Sequence, residues 1–180
     1  LWKIDDSKPA PRFNVICRPN EWFKSTKKST AVKELSETKS LQLEYWNYLR
    51  DYLNQQQSTL NLRTPRAQHW YSIAIGRSKF NISLTVNTVQ KRLGCEIYLR
   101  GESAKAAFHL LKQQQAMIEQ ELAATLQWQE LPDGQDSRIT LYQAGDISAR
   151  ENWNESVTWF KHWSESFYTV FYQRIRDLRL

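Results

Sequence analysis

The chain has 180 residues, a formal net charge of +6 and 41% hydrophobic residues. This length suits a single domain with its own core, and the apolar content excludes a disordered chain. No apolar run reaches the roughly 18 residues that a membrane helix needs, so we expect no membrane partner and a soluble, cytoplasmic protein. The two cysteines and three histidines show no metal-ligand spacing, so we expect no metal and no other cofactor.

The first 36 residues predict an extended N-terminal strap. Residues 1–4 alternate like the end of a β-strand, and prolines at positions 9, 11 and 19 favour extended backbone. We interpret residues 1–36 as a linker from an absent upstream domain and residues 37–180 as a single α+β domain.

Three aromatic residues of this strap are candidates for an interface. Exposed aromatic side chains on an extended segment usually mark a contact surface, so Trp2, Phe13 and Trp22 are predicted to dock against the upstream domain. In an equally reasonable interpretation, Trp2 and Trp22 pin the strap to the body of the domain.

Hydrophobic periodicity predicts three helices and five strands in the rest of the chain. The predicted order is a helix at 38–57, strands at 70–75, 80–86 and 92–99, a helix at 103–124, strands at 126–131 and 138–143, and a helix from 152 to 178. Short connections favour antiparallel pairing. We therefore predict an α+β fold with about five mostly antiparallel strands and three helices packed on one face, in the order α-β-β-β-α-β-β-α.

The positive charge is concentrated in the three-strand segment at residues 61–100. This segment has seven Arg or Lys residues and a single acid, Glu96, and its strands alternate strictly between apolar and polar positions. A basic sheet face of this kind suits a polyanion such as DNA. The residues predicted to contact nucleic acid are Arg77, Lys79, Asn81, Lys91, Arg92, Tyr98, Arg100, Arg138 and Tyr142.

The roles expected within this set follow from side-chain chemistry. The cations other than Arg138 would neutralise phosphates, and Tyr98 and Tyr142 would stack on unpaired bases. Asn81, Ser83 and Arg138 would add hydrogen bonds. A solvated polar face whose tyrosines simply pair across strands is the alternative interpretation. Glu96 is predicted to be a salt-bridge partner, and His69 a capping or packing histidine.

No catalytic constellation can be identified in the sequence. A restriction-type nuclease site needs an acid-x-lysine pair on a strand, but Glu96 is followed by Ile97 and Tyr98. The chain also lacks a glycine-rich phosphate loop and a nucleophile with a base at identifiable spacing. This chain is therefore interpreted as non-catalytic, with its status as an enzyme left open.

Several tryptophan-containing motifs resemble a known family. They are Leu1-Trp2-Lys3-Ile4, Pro11-Arg12-Phe13-Asn14-Val15, Pro19-Asn20-Glu21-Trp22, Leu43-Glu44-Tyr45-Trp46, His69-Trp70-Tyr71, Trp128-Gln129-Glu130-Leu131-Pro132 and Glu151-Asn152-Trp153. Across nearly the whole chain, the sequence resembles a bacterial domain-of-unknown-function family. In that family the domain typically follows a restriction-endonuclease-like, NucS-like module. The resemblance implies an upstream nuclease-like domain in the same protein, and it implies no catalytic residue here.

Two functional hypotheses follow. In the first, the chain is a non-catalytic accessory domain of a nuclease-like bacterial protein and assists DNA binding through its basic sheet face. In the second, the same face mediates protein interaction or homodimerisation without contacting nucleic acid.

Overall fold

The computed structural model describes the backbone of residues 19–180 and the side chains from residue 36 onward. These residues divide into two units between Thr38 and Lys39. Most of the expected strap, including Trp2 and Phe13, lies outside the described residues. Trp22 falls within the first helix, but its side chain also lies outside them.

Helix α1 spans Pro19–Gln55, so it begins well before the predicted start at residue 38. Proline is favoured in the first turn of a helix, where its missing N–H has no intrahelical role. Residues 24–39 contain five lysines and two glutamates, which have high helix propensity. The prediction of an extended segment was therefore wrong from residue 19 to residue 36.

The strands form one antiparallel sheet, which confirms the predicted α+β class. They are β1 (Trp70–Ala74), β2 (Phe80–Asn87), β3 (Arg92–Leu99), β4 (Gln127–Gln129) and β5 (Ser137–Ala144), and their order across the sheet is β1-β2-β3-β5-β4. The register aligns Ile82 with Ile97, and Ile97 with Ile139. Because side chains alternate between the two faces of a strand, this register collects the apolar residues on one face.

The remaining helices are α2 (Ala104–Lys112), α3 (Gln115–Leu122) and α4 (Trp153–Asp177), the last preceded by a 3-10 turn at Arg150–Asn152. Helix α4 packs on β2 and β3, and α2 packs on β3 and β5. The indole ring of Trp46 in α1 stacks on Tyr71 of β1, with ring centroids 5.8 Å apart. Helices thus cover the apolar face of the sheet, as predicted.

The predicted helix at 103–124 is two helices, so the domain has four rather than three. The backbone leaves the helical path at Gln114, where φ is −101° and ψ is 12°. The two halves bury different partners, since α2 packs on the sheet while α3 packs on α4. Neither glycine nor proline marks this break, so the sequence pattern did not reveal it.

No helix among residues 19–180 combines the length and the apolar character needed to cross a membrane.

Candidate nucleic-acid interface

The second face of the sheet is polar, and its residues form rows across the strands. The central row is Ser83, Glu96, Thr140 and Gln127, and one neighbouring row is Asn81, Tyr98, Arg138 and Gln129. The row on the other side brings together Trp70, Thr85, Gly94 and Tyr142. Part of each row lines a cavity of about 790 Å³, which we call the polar trough; the lining residues from the rows are Ser83, Glu96, Asn81, Tyr98, Arg138, Trp70, Thr85 and Tyr142.

The floor of the polar trough contains a buried acid. The Glu96 side chain is 7% exposed, and its Oε2 accepts a hydrogen bond from the Thr140 hydroxyl at 3.4 Å. Ser83 also donates a hydrogen bond to this carboxylate. Burial raises the pKa of Glu96, and the attraction of Arg138 opposes this shift only in part. The carboxylate is therefore held in place at an energetic cost.

Arg138 completes this group. Its Nη1 lies 3.9 Å from Glu96 Oε2, which confirms the predicted ion pair of Glu96 but exceeds hydrogen-bond distance. Within the described part of the chain, Arg138 Nε is buried and has no hydrogen-bond partner. Buried polar atoms without a partner are rare in folded proteins. The Arg138 side chain as a whole is 34% exposed, so the outer part of its guanidinium can reach an additional acceptor.

Aromatic side chains lie at the sides of the trough. Trp70 is 39% exposed, and the ring of the neighbouring His69 lies edge-on to it at 4.6 Å. Tyr142 has the guanidinium of Arg92 over its ring at 3.8 Å. A Cβ added at Gly94 would come within 3.0 Å of the Tyr142 ring and 2.5 Å of the Thr85 hydroxyl, so the ring occupies space that glycine leaves open.

Tyr98 is less available than the sequence suggested. Its hydroxyl donates a 2.5 Å hydrogen bond to Asp136 Oδ2, and the backbone N–H of Gly101 donates to Oδ1 of the same carboxylate. The hydrogen bond from Tyr98 is the largest cause of the lowered pKa of Asp136. Asp136 therefore stays ionised and holds the Tyr98 ring in one orientation.

A second cavity, of about 770 Å³, lies at the end of the sheet that contains the β1–β2 hairpin. Four cations line it: Arg63, Arg77, Lys79 and Arg100. We call it the basic cleft. None of the described residues that line it is acidic. Asn81 and Arg100 line both cavities, so the basic cleft adjoins the polar trough.

The hairpin beside the basic cleft depends on left-handed backbone at two residues. Gly76 has φ of +82°, and Lys79 has φ of +67°. Glycine adopts this conformation freely, whereas lysine does so at a cost of about 1 kcal/mol. A Cβ at Gly76 would also approach Tyr172 to 2.6 Å. The resulting turn leaves Lys79 exposed.

Arg77 is the cation whose role differs most from the prediction. Its Nη1 donates hydrogen bonds to the carbonyls of Ile175 and Leu178, at 3.2 and 2.7 Å. Carbonyls at the end of a helix lack intrahelical partners, and the helix dipole attracts a cation there. Arg77 therefore serves mainly to hold the end of α4.

The predicted cations do not form one patch. Arg77, Lys79 and Arg100 lie at the basic cleft, whereas Lys91 and Arg92 lie at the opposite ends of β2 and β3. An eight-residue strand is about 26 Å long, which separates the two groups. Lys91 also pairs with Asp146 at 3.2 Å. Asn81, Tyr98, Arg138 and Tyr142 lie between the groups, in the polar trough.

Sequence reasoning missed two contributors to this surface. Side chains alternate between the two faces of β1, so Trp70 lies on the same polar face as Ser72, while Tyr71 and Ile73 are buried on the other. This alternation was visible in the sequence. Arg63 comes from a loop, where no periodicity shows the direction of a side chain. Its carbonyl accepts a hydrogen bond from the Tyr71 hydroxyl, which fixes the loop beside β1.

The described residues contain no group of three or more His, Cys, Asp or Glu side chains able to hold a metal ion. Cys95 is buried, and burial raises the pKa of its thiol well above the ordinary value.

The surface formed by the basic cleft and the polar trough is suited chemically to neutralising phosphates in the cleft and to stacking and hydrogen bonding in the trough.

Comparison with known proteins identifies a family without identifying an activity. No curated protein and no solved structure matches the chain. A family model described as "Domain of unknown function (DUF4268)" matches residues 41–175, which include every strand of the sheet, the polar trough and the basic cleft. The chain therefore belongs to the DUF4268 family.

Proposed function

We propose that this domain is a non-catalytic nucleic-acid-binding module that holds a single strand along the polar face of its sheet. In this proposal it presents the strand to a nuclease-like module of the same bacterial protein, the arrangement that the family resemblance implies. The observation that carries the proposal is that the basic cleft adjoins the polar trough, with Asn81 and Arg100 lining both.

The charge distribution supports a polyanionic ligand. Arg63, Lys79 and Arg100 are exposed at the basic cleft, where they can contact successive phosphates. Phosphate contacts supply most of the sequence-independent affinity of nucleic-acid-binding proteins. Lys91 pairs with Asp146 and Arg92 stacks on Tyr142, so neither is counted among the phosphate contacts.

The trough supports a single strand rather than a duplex. Trp70 is 39% exposed at the side of the trough, where it can stack only on a base that is not already stacked in a double helix. Duplex DNA would therefore reach the rim cations but not the aromatic residues.

Fluorescence anisotropy with a labelled oligothymidylate tests the proposal. The three exposed cleft cations predict a slope of about −2 for the logarithm of affinity against that of salt concentration, measured between about 50 and 200 mM KCl. A double variant, Lys79→Ala with Arg100→Gln, should flatten this slope by about 1.4. Lys112→Gln with Arg150→Gln removes the same charge from the helical side and should leave the slope unchanged.

The alternative function, homodimerisation or docking to another domain, predicts a different outcome. If the domain binds neither DNA nor RNA oligonucleotides at low salt and elutes as a dimer in light-scattering chromatography, the nucleic-acid proposal is wrong. Equal affinity for the duplex and the single strand would reject the single-strand arrangement and keep only a general attraction to polyanions.

A further inference from the structure

The polar trough contains a buried carboxylate beside a guanidinium with an unpartnered N–H. We propose that Glu96 and Arg138 together read the Watson–Crick edge of one guanine base inserted into the trough. This inference rests on the proposed function, because the base would belong to the bound single strand.

The carboxylate matches the donors of guanine. Ionised Glu96 presents two oxygens side by side, and guanine presents its N1–H and its N2 amino group side by side, so two parallel hydrogen bonds can form. Thr140 and Ser83 hold the carboxylate from below, in the same row of the sheet. The acceptor is therefore fixed before any base arrives.

The guanidinium matches the acceptor of guanine. Arg138 lies in the adjacent row, and its Nη1 is 3.9 Å from Glu96, too far for a direct hydrogen bond. Its buried Nε has no partner in the described chain. The O6 carbonyl of guanine lies next to N1–H, so a base bound to Glu96 would present this oxygen toward Arg138.

The other bases fit less well. Adenine and cytosine each offer one amino group beside a ring nitrogen acceptor, and thymine offers one N–H between two carbonyls. Each places an acceptor against the Glu96 carboxylate, where two acceptors repel. Trp70, 39% exposed, lies at the side of the trough and would cover the face of whichever base enters. Stacking thus adds affinity for any base, whereas the pair selects guanine.

The test compares short oligothymidylates of equal length whose central residue is guanine, inosine, adenine or cytosine, by fluorescence anisotropy. Inosine lacks only the N2 amino group. A bidentate contact contributes enough for the native protein to favour guanine over inosine by about fivefold or more. Glu96→Gln should abolish this preference. Glu102→Gln, at an exposed acid beside the basic cleft, is the matched control and should keep the preference.

The outcomes separate the inference from the proposed function. Equal binding of all four oligonucleotides overturns guanine reading and leaves nucleic-acid binding intact. A preference that survives both Glu96→Gln and Arg138→Lys also overturns it, since neither side chain would then read the base. Absence of binding to every oligonucleotide overturns both. If Glu96→Gln fails to fold in a thermal melt, Arg138→Lys decides by the same comparison.

Discussion

Arg77 should contribute to folding and Lys79, in the same hairpin, to binding. Arg77 Nη1 donates to the carbonyls of Ile175 and Leu178 at the end of α4. Hydrogen bonds to charged groups contribute about 1.5–3 kcal/mol, but these carbonyls lie near a helix end where water can partly replace the donor. Arg77→Met keeps an apolar stem near the Phe80 ring, and we expect it to lower the free energy of unfolding by about 1–2 kcal/mol.

Urea denaturation followed by tryptophan fluorescence measures this loss, which corresponds to a fall of about 2–8 °C in the melting temperature. Lys79→Met is the matched control, because Lys79 carries the same charge as Arg77, lies two residues after it and is exposed. We expect its free energy of unfolding to change by less than about 0.5 kcal/mol. The assignment of Arg77 to the end of α4 is refuted if both variants are as stable as the native protein, or if Lys79→Met is the less stable.

Three further substitutions test the core, a helix end and the trough. Trp46→Phe removes the indole N–H that donates to the Gln68 carbonyl at 2.7 Å, so we expect a loss of about 2–3 kcal/mol in urea denaturation, and a loss below about 1 kcal/mol would contradict this. Ala123 ends α3 with φ of +50°, so Ala123→Gly should raise the stability by about 1 kcal/mol, and a lower melting temperature would argue against strain there. Because the pKa of Glu96 is raised on folding, native Glu96 holds its proton above pH 4.5 while the unfolded chain loses it, and stability falls as the pH rises through that window. Glu96→Gln should therefore be more stable than the native protein at pH 7 and equally stable below pH 4.5, and unfolding curves that differ equally at both pH values would exclude titration as the cause.

The sheet could be predicted from the sequence because its signal is local. In β2, Phe80 and Ile82 alternate with Asn81 and Ser83, and this period of two defines both the strand and its buried face. The order of the strands depends on contacts between distant segments, so nothing in the spacing showed that β5 lies between β3 and β4. The early start of α1 was missed because its first half lacks an apolar stripe.

The site was predictable only in part. The alternation of side chains along each strand predicted that Asn81, Tyr98 and Tyr142 lie on the polar face, as the register shows. The roles of the cations depend on tertiary partners that the sequence does not display. Arg77 contacts the end of a helix about a hundred residues later in the chain, and Arg92 stacks on Tyr142. From the composition alone, both side chains were therefore treated as cations free to bind a ligand.

The Tyr142 ring packs over Gly94 because position 94 has no side chain, and this makes the position of the ring sensitive to the smallest possible substitution. One extra methyl group at Gly94 would collide with both the Thr85 hydroxyl and the tyrosine ring. It would also crowd the 3.4 Å hydrogen bond that the Thr85 hydroxyl donates to the Gly94 carbonyl. A library with every amino acid at position 94 can be selected once for folding and separately for ligand binding. The behaviour of Gly94→Ala in the two selections should show how closely folding and binding depend on the same packing.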